Sequence, residues 1–315
     1  MVTSTAYLLI AHGSRNPRPQ AAMNRLAQLV RERLREPSVY SLARVEEAAS
    51  QGRPSSTRPH VASAVTVALT ARARNGWGIK TGVQTIERTQ TALRGAIATS
   101  RLSERVGGRV LVGTACLEHS PLALREQICE FGRRARAAGI KKLQLVPLFL
   151  MRGVHVMEDI PAEVSAARQL LGNELEIGLC PHLGSHADMA NLLSQKLSAL
   201  SADGHLLVAH GSRRPKGNYK IELLAQSLGA AVAYWATPPD LETQVINLMQ
   251  QGHQKLTILP YFLFAGGITD AIIHLTEELA ERFPRVCFRL MPPIGATPEV
   301  ADLVVDLVRQ PSIDG

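Results

Sequence analysis

Short apolar runs alternate along this chain with longer stretches in which apolar residues recur every three or four positions. The run at 6–11 precedes an amphipathic stretch at 18–35. The run VLVGTAC at 110–116 precedes HSPLALREQI, and LQLVPLFLMRG begins at 143. Such alternation predicts βα units and a parallel sheet covered by helices. Pro121, and Pro238 with Pro239 in the matching TPPDLETQVI, mark helix starts.

The pattern occurs twice. Residues 8–15 read LLIAHGSR and residues 206–213 read LLVAHGSR. The flanks follow in the same order: amphipathic stretches at 18–35 and 216–229, then VLVGTAC and AAVAYWA. After these, LQLVPLFLMRG matches LTILPYFLFAG, and CPHLGSHADMANLL matches MPPIGATPEVADLV. An internal repeat of this kind sets the architecture. We expect an α/β protein of two tandem domains, each a parallel sheet of about four strands flanked by helices. The first is expected at 1–200 and the second at 205–315. The first half is longer by an insertion near 37–108, whose Arg, Ser, Thr and Ala do not supply a core.

Composition narrows the function classes. The net charge is +8, but eleven Lys and Arg against four Asp and Glu between Pro37 and Arg109 supply nearly all of it. Aromatic residues make up 4% of the chain, too few for a base-stacking surface, so no nucleic-acid partner is expected. No apolar run approaches membrane-spanning length, and the N-terminal stretch does not read as a signal peptide. A cytoplasmic protein is expected. Cys116, Cys129, Cys180 and Cys287 form no CxxC pair and read as buried small hydrophobes.

Ligands bind where parallel strands end at their carboxyl edge. His12 follows the first strand, Glu118 stands just past the second in ACLEHSP, and His155 follows the third, where Gly153 is expected to allow a sharp turn. Two imidazoles and a carboxylate suit a divalent transition metal or proton transfer. The repeat acts as an internal control. His12 maps to His210, whereas Glu118 maps to Ala236 and His155 to Ile268. One working site and one scaffold copy are expected.

The remaining candidates divide by their setting. His119 is a weaker candidate that starts the next helix. His182 and His186 read as structural, and His253 and His274 as helical and solvated or partly buried. Glu158 and Asp159, before Ile160 and Pro161, read as a helix start. Arg15, Arg152, Arg213, Arg214 and Lys216 cluster near the strand ends and suit a polycarboxylate ligand.

LLIAHGSR, ACLEHSP and PLFLMRGVHVMEDIP together resemble the sirohydrochlorin chelatases of the CbiX/SirB type, part of the class II chelatase superfamily. The resemblance covers all but the insertion. It implies two similar domains with the active site in the cleft between them, and insertion of Fe2+ or Co2+ into sirohydrochlorin. By the same resemblance His12 and His155 handle the metal and Glu118 is their acidic partner. Arg15, Arg152, Arg213, Arg214 and Lys216 would hold substrate carboxylates. The metal is a substrate, so no permanently bound cofactor is expected, and a monomer of two repeats is expected to work alone. The alternative on the same fold is a non-catalytic tetrapyrrole or divalent-metal carrier. A phosphohydrolase fits less well, because Ala11 stands where such enzymes place an arginine before the histidine. An interaction protein acting through the basic insertion has no pattern to name its partner.

Overall fold

The first strand, β1 (Thr5–Ala11), holds Leu8, Leu9 and Ile10 at or below 1% exposure. A strand buried on both faces reads as an unbroken apolar run, and that is what a parallel sheet covered by helices on both sides demands. β1 pairs in parallel with β2 (Leu111–Cys116) and with β3 (Lys142–Pro147), and β3 with β4 (Glu176–Leu179). The strand order is β2-β1-β3-β4. Helices α1 (Pro17–Arg35), α2 (Leu124–Ala137), α3 (Ile160–Leu171) and α4 (Met189–Ser198) complete the half. The computed structural model describes residues 5–35, 110–198 and 201–310. The expected 37–108 insertion lies outside the described residues.

The second half repeats the arrangement. Strands β5 (Gly204–Ala209), β6 (Ala231–Tyr234), β7 (Lys255–Pro260) and β8 (Cys287–Leu290) run parallel in the order β6-β5-β7-β8. Its helices are α5 (Tyr219–Ser227), α6 (Leu241–Gln250), α7 (Gly267–Arg282) and α8 (Pro298–Arg309). The register matches as well: Ala11 lies opposite Cys116, and Ala209 opposite Tyr234.

Side chains alternate along a strand, so each sheet feeds two cores. Leu8 and Ile10 point to a core shared with Ile128, Leu145 and Ile160. In the second half Leu206 and Val208 meet Val245, Ile258 and Ile272. The opposite faces, through Leu9 and Leu207, enter one common core that also holds Met23, Leu26, Val30, Val300 and Val304. The two halves are therefore joined by a continuous apolar interior. Helix α8 of the second half packs on α1 and also touches β3 of the first. Arg33 on α1 donates from Nε to Asp302 on α8 at 2.7 Å.

Two details differ from expectation. Cys287 is exposed, because it opens the edge strand β8, while Cys129 and Cys180 are buried as expected. His253 lies in the turn after α6 instead of in a helix, with His274 exposed on α7. Among the described residues no helix is long and apolar enough to cross a membrane.

Candidate active site

The matched ends of β1 and β2 build the first part of the site. Leu117 N–H donates to Ala11 O at 2.9 Å, and Glu118 N–H to His12 O at 2.8 Å, extending the ladder one step beyond each strand. Gly13 makes this approach possible. Its φ is +96°, and a Cβ there would lie 1.9 Å from the Glu118 carbonyl oxygen. The second half keeps the same geometry, with Ala236 N–H donating to His210 O at 2.9 Å and Gly211 at φ +83°. Ala236 is thus the structural counterpart of Glu118.

The third arm comes from the loop after β3. His155 opens a π-turn, His155–Asp159, in which Ile160 N–H donates to His155 O, five residues back. Pro161 accounts for it. Proline has no N–H to give Met157, and its ring presses on the carbonyl four residues earlier, so the helix widens there. The buried stripe of α3 is Ile160, Val164, Ala167 and Leu171, and that of α7 continues through Ile272, Thr276 and Leu279. Ile160 stands seven residues past Gly153, but Ile272 only six past Gly266. The π-turn therefore holds one residue more than the second copy, and α7 has no such turn. Glu158 and Asp159 lie inside it instead of at the simple helix start that Ile160-Pro161 suggested.

Gly153 does not act as expected. Its φ is not positive and a Cβ there would meet open space. The sharp constraint falls on Gly184, where a Cβ would lie 1.9 Å from Leu150 O. Gly184 N–H donates to Phe149 O at 2.9 Å, and His182 donates from Nδ1 to the same oxygen at 3.0 Å. Burial pulls the His182 imidazole below its ordinary pKa, so it stays neutral in this role. The Phe149 ring stands 6.4 Å from that of His12 and 6.0 Å from that of His155. His182 is structural, as expected, and it fixes the loop that presents His155.

His12, Glu118 and His155 each offer a ligand atom within 4.8 Å of the others. The rings of His12 and His155 are 4.9 Å apart and nearly perpendicular at 78°. His12 Nε2 lies 3.8 Å from Glu118 Oε2. The tautomers follow from the partners. His12 Nδ1 is 3.2 Å from the Gly13 carbonyl, which can only accept, so the proton sits on Nδ1. His155 Nδ1 is 2.7 Å from Asp159 Oδ2, again an acceptor when ionised. Both imidazoles then carry their lone pair on Nε2, available to a metal or a proton. About half of the His12 and Glu118 side chains is exposed, which leaves the site open to a ligand.

Some participants were weighted differently in the sequence. His119 lies in the left-handed region, φ 57°, with Nε2 3.9 Å from Glu118 Oε2 and its ring 6.4 Å from that of His12. It belongs to the site and not to helix α2, which begins at Leu124. Asp159, read from the sequence as part of a helix start, is the i+4 partner of His155 on one helical face. Arg15, Arg152, Arg213, Arg214 and Lys216 are all exposed, on loops after β1, β3 and β5. Arg152 packs its Nε against Met157 Sδ at 2.8 Å, and Lys216 adopts φ 60°. His210 keeps its Nδ1 contact to Gly211 O at 3.0 Å, although Ala236 and Ile268 bring it no further ligand. A second group, His186, Asp188 and Asp306, is less suited to a metal. There His186 Nδ1 already accepts from Asp188 N–H at 3.1 Å.

Comparison with known proteins completes the picture. The CbiX family profile matches residues 87–200 and again 204–311, which is most of the chain. The chain belongs to the CbiX family. The first matched segment of this CbiX-family chain contains Glu118 and His155, while β1 with His12 lies outside it and is joined to it by the β1–β2 ladder. A sirohydrochlorin ferrochelatase of Priestia megaterium is 24% identical over 155 residues, 45% of this chain and 58% of that protein. A chloroplastic sirohydrochlorin ferrochelatase of Arabidopsis thaliana is 28% identical over 118 residues, 34% of this chain and 52% of that one. The chain thus matches only a little over half the length of these relatives. In fold it is similar to SirB from Bacillus subtilis with Fe3+, with a TM-score of 0.60 and 15% identity over 99% of this chain and 96% of that one.

Proposed function

We propose that this CbiX-family chain is a sirohydrochlorin chelatase that inserts Fe2+ or Co2+, with one working site in its first half. One observation carries the reading. His12, Glu118 and His155 converge within 4.8 Å at the strand ends, while the matching residues of the second half are His210, Ala236 and Ile268. Apolar packing does not require the lost groups, since the second sheet forms without them. The cytoplasmic setting and the single-chain working unit are part of the same proposal.

The chemistry asked of the site is simple to balance. Sirohydrochlorin gives up two inner N–H protons, and the divalent ion takes their place, so net charge is conserved. His155 and His12 present Nε2 lone pairs that hold the incoming ion and then receive protons. Glu118, 3.8 Å from His12 Nε2, passes protons outward to solvent through its exposed carboxylate. Asp159 keeps the His155 ring in its metal-facing tautomer. Arg15, Arg152, Arg213, Arg214 and Lys216 supply positive charge at the same edge for the ring's acidic side chains.

The deciding experiment is anaerobic insertion of Fe2+ and of Co2+ into sirohydrochlorin, followed by absorbance. His155→Ala is expected to abolish turnover and His210→Ala to retain it. Folded wild-type protein that binds metal or ring but inserts neither ion would replace the enzyme by a carrier.

A further inference from the structure

Each half sends one arginine across to the other beyond the carboxyl ends of the strands. Arg18, in the first turn of α1, forms a two-pronged pair with both carboxylate oxygens of Asp270 on α7, with Nη1 3.1 Å from Oδ1. Arg214, on the loop after β5, reaches Glu158 Oε1 at 3.3 Å. Glu158 belongs to the π-turn that carries His155. In both cases the segment just after a first strand meets the segment after the third strand of the other half. Both loops are ordered locally: Asn16 N–H and Arg214 N–H each donate to a serine hydroxyl, Ser14 and Ser212. The nearness of the two edges is seen again where Pro19 Cγ lies 3.8 Å from a Cβ built on Gly266.

These pairs are poor structural elements. Side-chain exposure is 49% and 37% for Arg18 and Asp270, and 55% and 62% for Arg214 and Glu158. Exposed ion pairs add little to stability, and the shared apolar interior already joins the halves. Their position is more informative. A guanidinium bound to a protein carboxylate beside a site for an acid-rich ring can exchange that carboxylate for one on the ligand, since both offer the same planar acceptor.

We infer that Arg18 and Arg214 are carboxylate clamps for a polycarboxylate tetrapyrrole, held closed by Asp270 and Glu158 until the ligand displaces them. The inference rests on the chelatase reading and extends it to Arg18, which stands outside the cations nominated from the sequence. Ring capture and release of the two cross-links then become one event. The protein carboxylates act as internal competitors that lower apparent affinity by the fraction of time they hold the clamps. Ligand binding at Arg214 also frees Glu158, so the turn bearing His155 feels the arrival of the ring directly.

An ion pair that only joins the halves and a clamp with a competitor predict different signs. Metal-free sirohydrochlorin is titrated by fluorescence into the full chain, without metal, for Arg18→Gln, Asp270→Asn and the double variant. The clamp requires Arg18→Gln to weaken binding about tenfold. It requires Asp270→Asn to tighten binding by about threefold, and the double variant to show no such gain. Arg214→Gln and Glu158→Gln are expected to repeat the opposition. Thermal unfolding, measured in parallel, should fall slightly and in the same direction for both single variants. Equal-sign changes in affinity, or a gain in Asp270→Asn that persists without Arg18, overturn the clamp while leaving the chelatase reading intact. A folded wild type with no affinity for sirohydrochlorin overturns both.

Discussion

Asp159 Oδ2 lies 2.7 Å from His155 Nδ1, four residues away on a widened turn. The contact decides which nitrogen of His155 carries the free lone pair. It depends on a helical turn that the second copy does not have. Asp159→Asn is therefore expected to weaken Co2+ binding about 10- to 100-fold, while Asp159→Glu recovers part of it. The check is Co2+ titration beside thermal unfolding. Unchanged Co2+ affinity with a lowered Tm would reduce Asp159 to a purely structural residue.

Gly13 is the hinge between the His12 and Glu118 arms. Gly13→Ala must relieve both a positive φ and a Cβ placed 1.9 Å from the Glu118 carbonyl oxygen. It is expected to cost about 1–3 kcal/mol and to reduce metal insertion more than stability alone explains. At Gly211 the contacts fall on the side chains of Thr237 and Tyr234, so Gly211→Ala should lower stability with little change in turnover of the folded fraction. Equal loss of turnover in both variants would contradict a single working site.

His182 supplies a pH dependence whose sign can be worked out. Burial lowers its pKa in the folded state, so between that lowered value and the ordinary value near 6.5 the unfolded chain binds the extra proton. Stability is then fully present above about pH 6.5 and falls as the pH drops through this window. Denaturant melts from pH 7.5 to 5 should show the fall, and His182→Gln should flatten it. A slope that persists unchanged in His182→Gln would place its origin in other groups.

Leu307, 1% exposed on α8, belongs to the core shared by both halves. Leu307→Ala is expected to cost about 2–5 kcal/mol, with metal insertion falling as the folded fraction falls. If urea titration gave two separate transitions, with the first half intact, the halves would be independent after all.

Much of this is legible in the amino-acid sequence alone. The repeat is visible because each half must bury the same strands, and the apolar runs match even where Glu118 and His155 have no counterpart. Parallel sheets place strand ends together, so His12, Glu118 and His155 could be grouped without knowing a distance. The π-turn was hidden, because the two copies align without a gap through Gly153 and Gly266. The extra residue shows only in which helix face is buried. Asp159 was masked by a reading equally natural for acidic residues before a proline. Arg18 and Asp270 are 252 residues apart, and no local pattern links an exposed arginine to an exposed aspartate at that range. The left-handed backbone at His119 is likewise invisible in composition.

Helix α8 ties the second half to the first. The second copy has Ala236 and Ile268 where the first has Glu118 and His155. Its final helix nevertheless roofs Met23, Leu26 and Val30 of the first half. If the first half alone works, selection on it reaches the second through the core they share, not through chemistry. Among related long chains, the apolar face of this helix should vary slowly while the positions of Ala236 and Ile268 vary freely. Dividing the polypeptide between β4 and β5 should yield two fragments that are active only when mixed.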